Sequence, residues 1–200
     1  MLVLRTSLPS PFGRKVRIAI DTVGMTDRVE VVNADTNDPA DSLRTQNPLG
    51  KIPALILEDG QALFDSRVIV EHLEALDGRG ILIPAGAARI GVLRQQALAD
   101  GLLDAALLQV YERRYRPETH QVASWLDHQR GKVDRTLDFI AQQPPAPGAA
   151  GPHIGEIALA AALGYLDLRF EGEWRRTHPA LVAWLTDFSQ RVPSFARTAP

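Results

Sequence analysis

The hydrophobic pattern of the chain changes once, near residue 78, and this change limits the fold classes that it can adopt. Before that point, short apolar runs of strand length alternate with helical segments, whereas after about residue 87 the pattern is helical almost throughout. A chain of 200 residues with this change predicts two domains, a mixed one at 1–78 and a helical one at 88–200. The linker at 79–87 carries two glycines and a proline.

The first part predicts the order strand, helix, strand, short helix, two strands and helix. Ser10 and Pro11 have the residue types preferred at a helix start, and Asp59-Gly60 between apolar runs indicates a hairpin. One crossover and one hairpin give an α+β fold with a mixed sheet. Ser66 is expected to cap the last helix of this part. The residues expected on its inward side are Val68, Ile69, His72, Leu73 and Leu76.

The second part predicts an all-α helical bundle with long helices at 88–114, 118–142, 155–170 and 179–191. The segment 143–152 contains four prolines, so we expect a surface loop there. The helix at 155–170 is rich in small residues, which suits the centre of a tight bundle. The residues expected on its apolar side are Ile157, Ala158, Ala161, Ala162, Tyr165 and Leu166.

Composition excludes several function classes. The chain has no Cys, which excludes disulfides, thiolate metal sites and a cysteine nucleophile of its own. A net charge of −2 does not indicate the excess of positive charge with which proteins bind nucleic acid or an anionic membrane. No apolar stretch approaches the length of a membrane span or signal-peptide core, and the five His residues show no metal-ligand spacing. We therefore expect a soluble, cytoplasmic protein without a metal.

Ser10, at the predicted start of the first helix, is the leading candidate for chemistry. A helix N-terminus favours an anion, and a hydroxyl there can donate a hydrogen bond to a bound thiolate and lower its pKa. Arg14 and Lys15 are expected to add positive potential, and Ser7 offers a second hydroxyl in the same loop. The alternative is that Ser10 only caps the helix.

Two further segments are candidate binding sites. If the Ile52–Pro53 bond is cis, the backbone N–H and C=O of Ile52 can pair with an extended peptide-like ligand; otherwise Pro53 only begins an edge strand. Asp65 and Ser66 lie at a helix start, where a carboxylate and a hydroxyl can bind the amino and carboxylate groups of a ligand together. The alternative for this pair is a simple helix cap.

Taken together, three motifs carry a resemblance to a known family. They are Ser-Pro-Phe-Gly-Arg-Lys at 10–15, Asn-Pro-Leu-Gly-Lys-Ile-Pro-Ala-Leu at 47–55 and Phe-Asp-Ser-Arg at 64–67. Followed by a helical domain, this order resembles the glutathione S-transferases over the whole chain, and most of all a small bacterial branch with Ser-Pro-Phe at the catalytic turn. The resemblance implies a thioredoxin-like N-terminal domain that binds glutathione.

The resemblance also implies roles for individual residues. Ile52 before a cis Pro53 would pair with the cysteinyl backbone of glutathione, Lys51 would meet its glycyl carboxylate, and Ser10 would stabilise its thiolate. The γ-glutamyl end would be held by Asp65 and Ser66 with Arg67 beside them. Further residues implied near the site are Ser7, Phe12, Tyr111, Arg114 and Tyr115, and also Asp100, which would reach the site of the partner in a homodimer.

An alternative stays open for Tyr111, Arg114 and Tyr115, because these residues also fit a solvated helix face with a salt-bridge network.

The sequence departs from the family pattern in two ways. His153 occupies a position where a Ser or Thr often caps a helix, so the capping box with Glu156 is expected to be incomplete. The chain also lacks a Tyr at the exit of the first strand and a Cys at position 10, which disfavours tyrosine-type and cysteine-based mechanisms.

The implied activity is the conjugation of glutathione to a small hydrophobic electrophile, as in detoxification. Two alternatives stay open. One is an interaction module of the starvation-protein type that no longer uses glutathione. The other is a glutathione-dependent isomerase acting on a dicarboxylic diketone, for which Arg113, Arg114 and Arg116 offer cations.

Overall fold

The computed structural model describes residues 1–200, and its elements follow the predicted order. The strands are β1 (Leu2–Thr6), β2 (Val29–Asn33), β3 (Ala54–Ile56) and β4 (Ala62–Leu63). The helices are α1 (Pro11–Thr22), α2 (Leu43–Gln46), α3 (Ser66–Asp77), α4 (Ala87–Tyr115), α5 (Ala123–Gln142), α6 (Ile154–Phe170), α7 (Trp174–Thr177), α8 (Pro179–Arg191) and α9 (Ser194–Arg197). None of the helices is long and apolar enough to cross a membrane.

The four strands form one mixed sheet in the order β2-β1-β3-β4. β1 pairs in parallel with β2, with Leu4 opposite Val31, and antiparallel with β3, with Leu4 opposite Leu55. β3 and β4 form the predicted Asp-Gly hairpin. α1 is the crossover between the two parallel strands and packs against α3. The α+β prediction for the first part and the all-α prediction for the second are both confirmed.

Helix α6 lies at the centre of the helical part, as predicted, and the six residues expected on its apolar side are buried, but its burial extends to all sides of the helix. Every residue from Ile154 to Leu166 is buried. Because α6 packs against α1, α4 and α8, it has no solvent face over these turns. Its small residues allow this close packing: at Gly164 an added Cβ would collide with the guanidinium group of Arg14.

Helix α3 differs from the prediction in its N-cap residue and in the residues that face the core. Its N-cap is Asp65, whose carboxylate accepts a hydrogen bond from the backbone N–H of Arg67, and Ser66 is the first helical residue. Ile69 and Leu73 are buried as expected, but Val70 completes the inward face. Val68 and Leu76 are exposed instead. Apolar residues occupy two adjacent stripes of this helix, so their spacing alone did not determine which stripe faces the core.

The start of α5 and the cap of α6 also correct the sequence analysis. Residues 118–120 form a 3₁₀ turn and α5 begins at Ala123, because Val122 adopts an extended backbone. The capping box of α6 is complete: Nδ1 of His153 accepts from the N–H of Glu156, and the Glu156 carboxylate accepts from the N–H of His153. An imidazole nitrogen thus replaces the hydroxyl oxygen that the prediction required.

A carboxylate of α3 fixes the segment between α3 and α4. The side chain of Glu74 accepts hydrogen bonds from the backbone N–H groups of Gly80 (2.7 Å), Leu82 (2.8 Å) and Ile83 (3.1 Å). Leu82 is fully buried and its carbonyl accepts from the N–H of Ile154 at the start of α6. The segment that leads from the mixed part to the helical part is therefore ordered by side-chain contacts rather than by secondary structure.

Candidate active site

The turn between β1 and α1 places Ser10 at the first turn of the helix. Its hydroxyl oxygen accepts a hydrogen bond from the N–H of Gly13 at 3.1 Å, which confirms the capping interpretation. Gly13 is required there, because an added Cβ would overlap the hydroxyl of Thr6. Since Ser10 uses its oxygen as the acceptor, its hydroxyl hydrogen remains free to donate to a ligand. Ser7 contributes its carbonyl to the same turn, accepting from the N–H of Ser10.

The segment before β3 has the geometry that the sequence analysis required for a peptide ligand. The Ile52–Pro53 bond is cis. No hydrogen bond within the chain uses the backbone N–H or C=O of Ile52. The buried side chain of Asn47 holds the loop by donating to the carbonyl of Lys51 and accepting from the N–H of Leu49. A free donor and acceptor at one residue can bind an extended peptide backbone.

The start of α3 offers polar groups of two kinds. Asp65 is exposed, and only one of its carboxylate oxygens is used by the N–H of Arg67. Ser66 is 3% exposed, and its hydroxyl makes no hydrogen bond within the chain. Together with the first backbone N–H groups of the helix, these side chains can accept from an ammonium group and donate to a carboxylate of one ligand.

A buried carboxylate, Asp100 of α4, connects this site to the helical part. It is 1% exposed and binds Lys15 through one oxygen (2.7 Å) and Arg67 through the other (2.9 Å). This placement is against the expectation that Asp100 reaches a partner's site, because both oxygens are already bound within its own chain. Burial lowers the pKa of Lys15, whereas its contact with Asp100 acts in the opposite direction.

The basic residues after Ser10 do not contribute the free positive potential that was expected. The side chain of Lys15 is fully buried against Asp100. Arg14 points toward α9, where it donates to the carbonyl of Phe195 at 2.7 Å and lies 4.0 Å from the centre of its ring. Burial and the neighbouring Arg17 lower the pKa of Arg14 to about 10. The anion preference at Ser10 therefore depends on the helix N-terminus itself.

Sequence reasoning missed Asp104, which lies one helical turn beyond Asp100. Burial and the charge of Asp100 raise the pKa of Asp104, and the charges of Arg67 and Lys51 oppose this rise. Asp104 lies on the face of α4 on which Asp100 contacts Arg67. Its spacing of four from Asp100 was the available signal, because residues i and i+4 share one helix face.

The aromatic residues at the end of α4 face the mixed part of the chain. Tyr111 and Tyr115 meet edge to face with ring centres 5.5 Å apart, and the hydroxyl of Tyr115 donates to the side chain of Asn37 at 3.0 Å. Arg114 is exposed and forms no ion pair, while Arg116 pairs with Glu112. The salt-bridge network considered for this face is therefore limited to one pair. Phe12 lies on the other side of the domain junction, beside Lys15.

A cavity of about 740 Å³ lies within the helical part among α4, α5, α6 and α7. It contains none of the residues expected to bind glutathione. Arg113 and Arg169 line it, together with Arg130, whose guanidinium is paired with Glu173. Arg113 thus lies on the side of α4 away from Tyr111. No group of three or more His, Asp or Glu side chains is arranged to hold a metal ion.

Comparison with known proteins covers both parts of the chain. Residues 9–76 match the family model described as the glutathione S-transferase N-terminal domain, and residues 123–187 match the model of the C-terminal domain. The uncharacterized GST-like protein YibF of Escherichia coli is 34% identical in an alignment of 199 residues that covers 97% of this chain and 96% of that protein.

Two solved structures are similar to this chain over its full length. A glutathione transferase family member from Pseudomonas fluorescens Pf-5 with bound glutathione has a TM-score of 0.92 and 41% identity, covering 100% of this chain and 99% of that one. A structure of a Pseudomonas fluorescens Pf-5 family member with bound S-(propanoic acid)-glutathione has a TM-score of 0.88 and 40% identity, with both chains fully covered.

Proposed function

Since the chain belongs to the glutathione S-transferase family, we propose that it is a glutathione transferase acting on small hydrophobic electrophiles. The observation that carries the proposal is the free backbone N–H and C=O of Ile52, next to the cis Pro53. A tripeptide such as glutathione needs this pair of groups for its own backbone. The glutathione bound to the 41% identical Pseudomonas protein supports the same ligand here.

In the proposed complex, three segments bind one glutathione molecule. Ile52 pairs with the cysteinyl backbone, and Lys51, which is exposed and unpaired, meets the glycyl carboxylate. Asp65 accepts from the γ-glutamyl ammonium group, while Ser66 donates to the adjacent carboxylate. Arg67 is held beside them by Asp100. Each charged end of the ligand thus meets a group of the required sign or a donor of the required kind.

Ser10 acts on the sulfur. Its free hydroxyl hydrogen and the positive end of α1 stabilise the thiolate, so the pKa of the bound thiol falls below its usual value of about 8.5. The thiolate attacks an electrophilic carbon, a C–S bond forms, and the leaving group departs with the electrons of the bond that breaks. Holding the sulfur and the electrophilic carbon in a fixed geometry increases the rate further. Ser7, in the same turn, is the next candidate for donating a hydrogen bond to the sulfur if replacing Ser10 leaves turnover unchanged.

The electrophile binds between the two parts of the chain. Phe12 from α1 and Tyr111 from α4 supply apolar surface there, and Arg114 lies beside Tyr111. The 40% identical Pseudomonas protein binds a glutathione whose sulfur carries a propanoic acid group. A substituent on the sulfur is therefore compatible with this fold, as conjugation requires.

Membership of the family also supports proposals for the domain bounds, the oligomeric state and the cellular location. We take residues 1–78 as the glutathione-binding domain, 79–87 as the linker and 88–200 as the helical domain. The chain acts as a cytoplasmic homodimer in detoxification. The isomerase alternative is less favoured, because Arg113 lines the separate cavity and Arg116 is paired with Glu112. This leaves Arg114 alone of the three cations for a dicarboxylic substrate.

Calorimetric titration with glutathione, followed by a conjugation assay with 1-chloro-2,4-dinitrobenzene, tests the proposal. We expect saturable binding at or below millimolar concentrations and release of chloride at a rate above that without protein. Binding of glutathione without turnover of this or other electrophiles would contradict the transferase activity. Failure of glutathione to bind would contradict the proposed function as a whole and favour the interaction module.

A further inference from the structure

The cavity of about 740 Å³ in the helical part, which we call the α5–α7 cavity, has no role in the proposed transferase function. Its size lies within the range of small-molecule sites in proteins, about 300–1,000 Å³. Two side-chain contacts define its walls, because each joins α5 to the segment after α6. Arg130 binds Glu173 at 3.0 Å, and Asp138 contacts His178 at 3.1 Å. α5 therefore forms one wall, and α6 and α7 form the other.

The interior of the α5–α7 cavity is apolar. Val133 and Leu137 of α5 line it from one side, and Leu166 of α6 and Trp174 of α7 line it from the other. All four side chains are buried. A ligand with an apolar body covers these side chains and removes its own apolar surface from water, which is favourable in proportion to the area buried.

A buried amide lies in the same cavity. Gln109 of α4 is 5% exposed, and its Nε2 atom donates a long hydrogen bond of 3.4 Å to the carbonyl of Ala105. No hydrogen bond within the chain uses its Oε1 atom. Since α4 packs against both α5 and α6, this amide lies between the two walls. Its unused acceptor suits a ligand that brings an N–H group into the interior, as a peptide bond does.

The unpaired charges that line the cavity differ in sign between the walls. Asp127 and Asp134 lie on one face of α5, seven residues apart, and neither carboxylate forms an ion pair. Glu171, after α6, is the one unpaired carboxylate on the other side. It is outnumbered there by three cations that have no carboxylate partner: Arg113 of α4, Arg169 of α6 and Arg176 of α7. The wall of α5 is therefore negative and the facing side is positive.

This separation of charge selects a ligand with a cationic and an anionic end. The two charges of a free amino acid are attached to one carbon, so they cannot reach opposite walls together. The ends of an extended dipeptide are about 7 Å apart, because each extended residue spans up to about 3.6 Å. Its ammonium group meets the carboxylates of α5, its carboxylate meets the arginines, and its peptide N–H meets Gln109.

We propose that the α5–α7 cavity binds a short apolar peptide with free termini. Two apolar side chains occupy the interior formed by the buried residues of α5, α6 and α7. None of the residues expected to bind glutathione lines this cavity. The peptide site is therefore separate from the glutathione site, and both sites can be occupied at once.

Four forms of one dipeptide test the site: phenylalanyl-leucine, its N-acetyl form, its C-terminal amide and the form with both ends blocked. We expect the free dipeptide to bind about fivefold more tightly than either singly blocked form, as measured by calorimetry at neutral pH. The doubly blocked form should bind most weakly. An excess of glutathione should leave the affinity for the free dipeptide unchanged.

Variants of the rim separate the two ends of the ligand. Asp127→Asn combined with Asp134→Asn should remove the advantage of the free dipeptide over its N-acetyl form and keep its advantage over the amide. Arg113→Gln should do the reverse, reducing only the advantage over the amide. A loss of structure would move both ratios together. Arg94→Gln is the matched control, because Arg94 is an exposed arginine of the same helix outside the cavity, and it should keep both ratios.

Several results would overturn the peptide site. Failure of the free dipeptide to bind would do so, as would equal affinity for all four forms or tighter binding of the N-acetyl anion than of the free dipeptide. Competition by glutathione would place the dipeptide in the glutathione site instead. Because glutathione binding is measured in a separate titration, the transferase proposal and the peptide site can fail independently.

Discussion

Lys15 of α1 and Asp100 of α4 form an ion pair of 2.7 Å from which water is excluded. The second oxygen of Asp100 binds Arg67 of α3. One carboxylate therefore joins three helices, two from the mixed part of the chain and one from the helical part. Since α1 carries Ser10 and α3 begins beside Asp65, this carboxylate also fixes the two ends of the proposed glutathione site relative to each other.

Replacing Asp100 with Asn should be strongly destabilising. The variant keeps the shape of the side chain but leaves Lys15 buried without a counter-charge, which typically costs about 3–5 kcal/mol. The measurement is the free energy of unfolding in urea. Asp187→Asn is the control, because it removes an exposed pair with Arg191 and should cost about 1 kcal/mol or less. Equal losses in the two variants would show that the buried pair has no special role.

Glu74→Ala should destabilise the junction between the two parts. Three backbone N–H groups lose their acceptor at once, and we expect a loss of about 2 kcal/mol or more in the free energy of unfolding. The control is Glu71→Ala, one turn earlier on the same helix, which removes only an exposed ion pair with Arg89. An equal loss in the free energy of unfolding for Glu71→Ala and Glu74→Ala would contradict this role of Glu74.

Acidification should weaken the cap of α6. The folded protein lowers the pKa of His153 below 6.5, mainly through burial, so the unfolded chain binds more protons between the two values. Stability is therefore fully present above about pH 6.5 and falls as the pH decreases through the folded pKa. His153→Asn keeps a capping acceptor that does not titrate. Urea unfolding at several pH values should show a shallower acid loss for the variant, and identical pH profiles would contradict this role.

Asp65→Asn should weaken glutathione binding about tenfold, because it removes a charge-assisted hydrogen bond to the γ-glutamyl ammonium group. Asn still caps α3, so the fold should be kept. Asp59→Asn is a close match: its carboxylate also accepts from the N–H two residues on, at the same distance of 2.9 Å. Calorimetry should show normal affinity in Asp59→Asn. Unchanged affinity in Asp65→Asn would remove this residue from the site.

Features set by local chemistry were predictable from the sequence. Ser10-Pro11 determines where α1 begins, and Asp59-Gly60 determines the hairpin, because both depend on residues next to each other in the chain. The motif around Ile52 likewise gave the position of the free backbone groups. Turn and cap residues act over a few positions, so their pattern remains visible without the fold.

Contacts between distant segments were not predictable in the same way. Lys15 looked like a free cation near Ser10, but it is buried because α4 places Asp100 against it 85 residues later. The inward face of α3 was misjudged for the same reason, as the core that selects Val70 over Val68 is built by other elements.

The most direct test of the account is the pKa of the glutathione thiol in the complex. Because the chain has no Cys, all thiolate absorption in the ultraviolet belongs to the ligand, and the difference between pH titrations of the complex and of the protein alone removes the contribution of the three Tyr and reports that thiol. We predict a pKa well below about 8.5 in the unaltered protein, a higher value in Ser10→Ala and a restored low value in Ser10→Thr. A bound thiol with the pKa of free glutathione, unaffected by Ser10→Ala, would contradict the placement of the sulfur beside Ser10 at the start of α1.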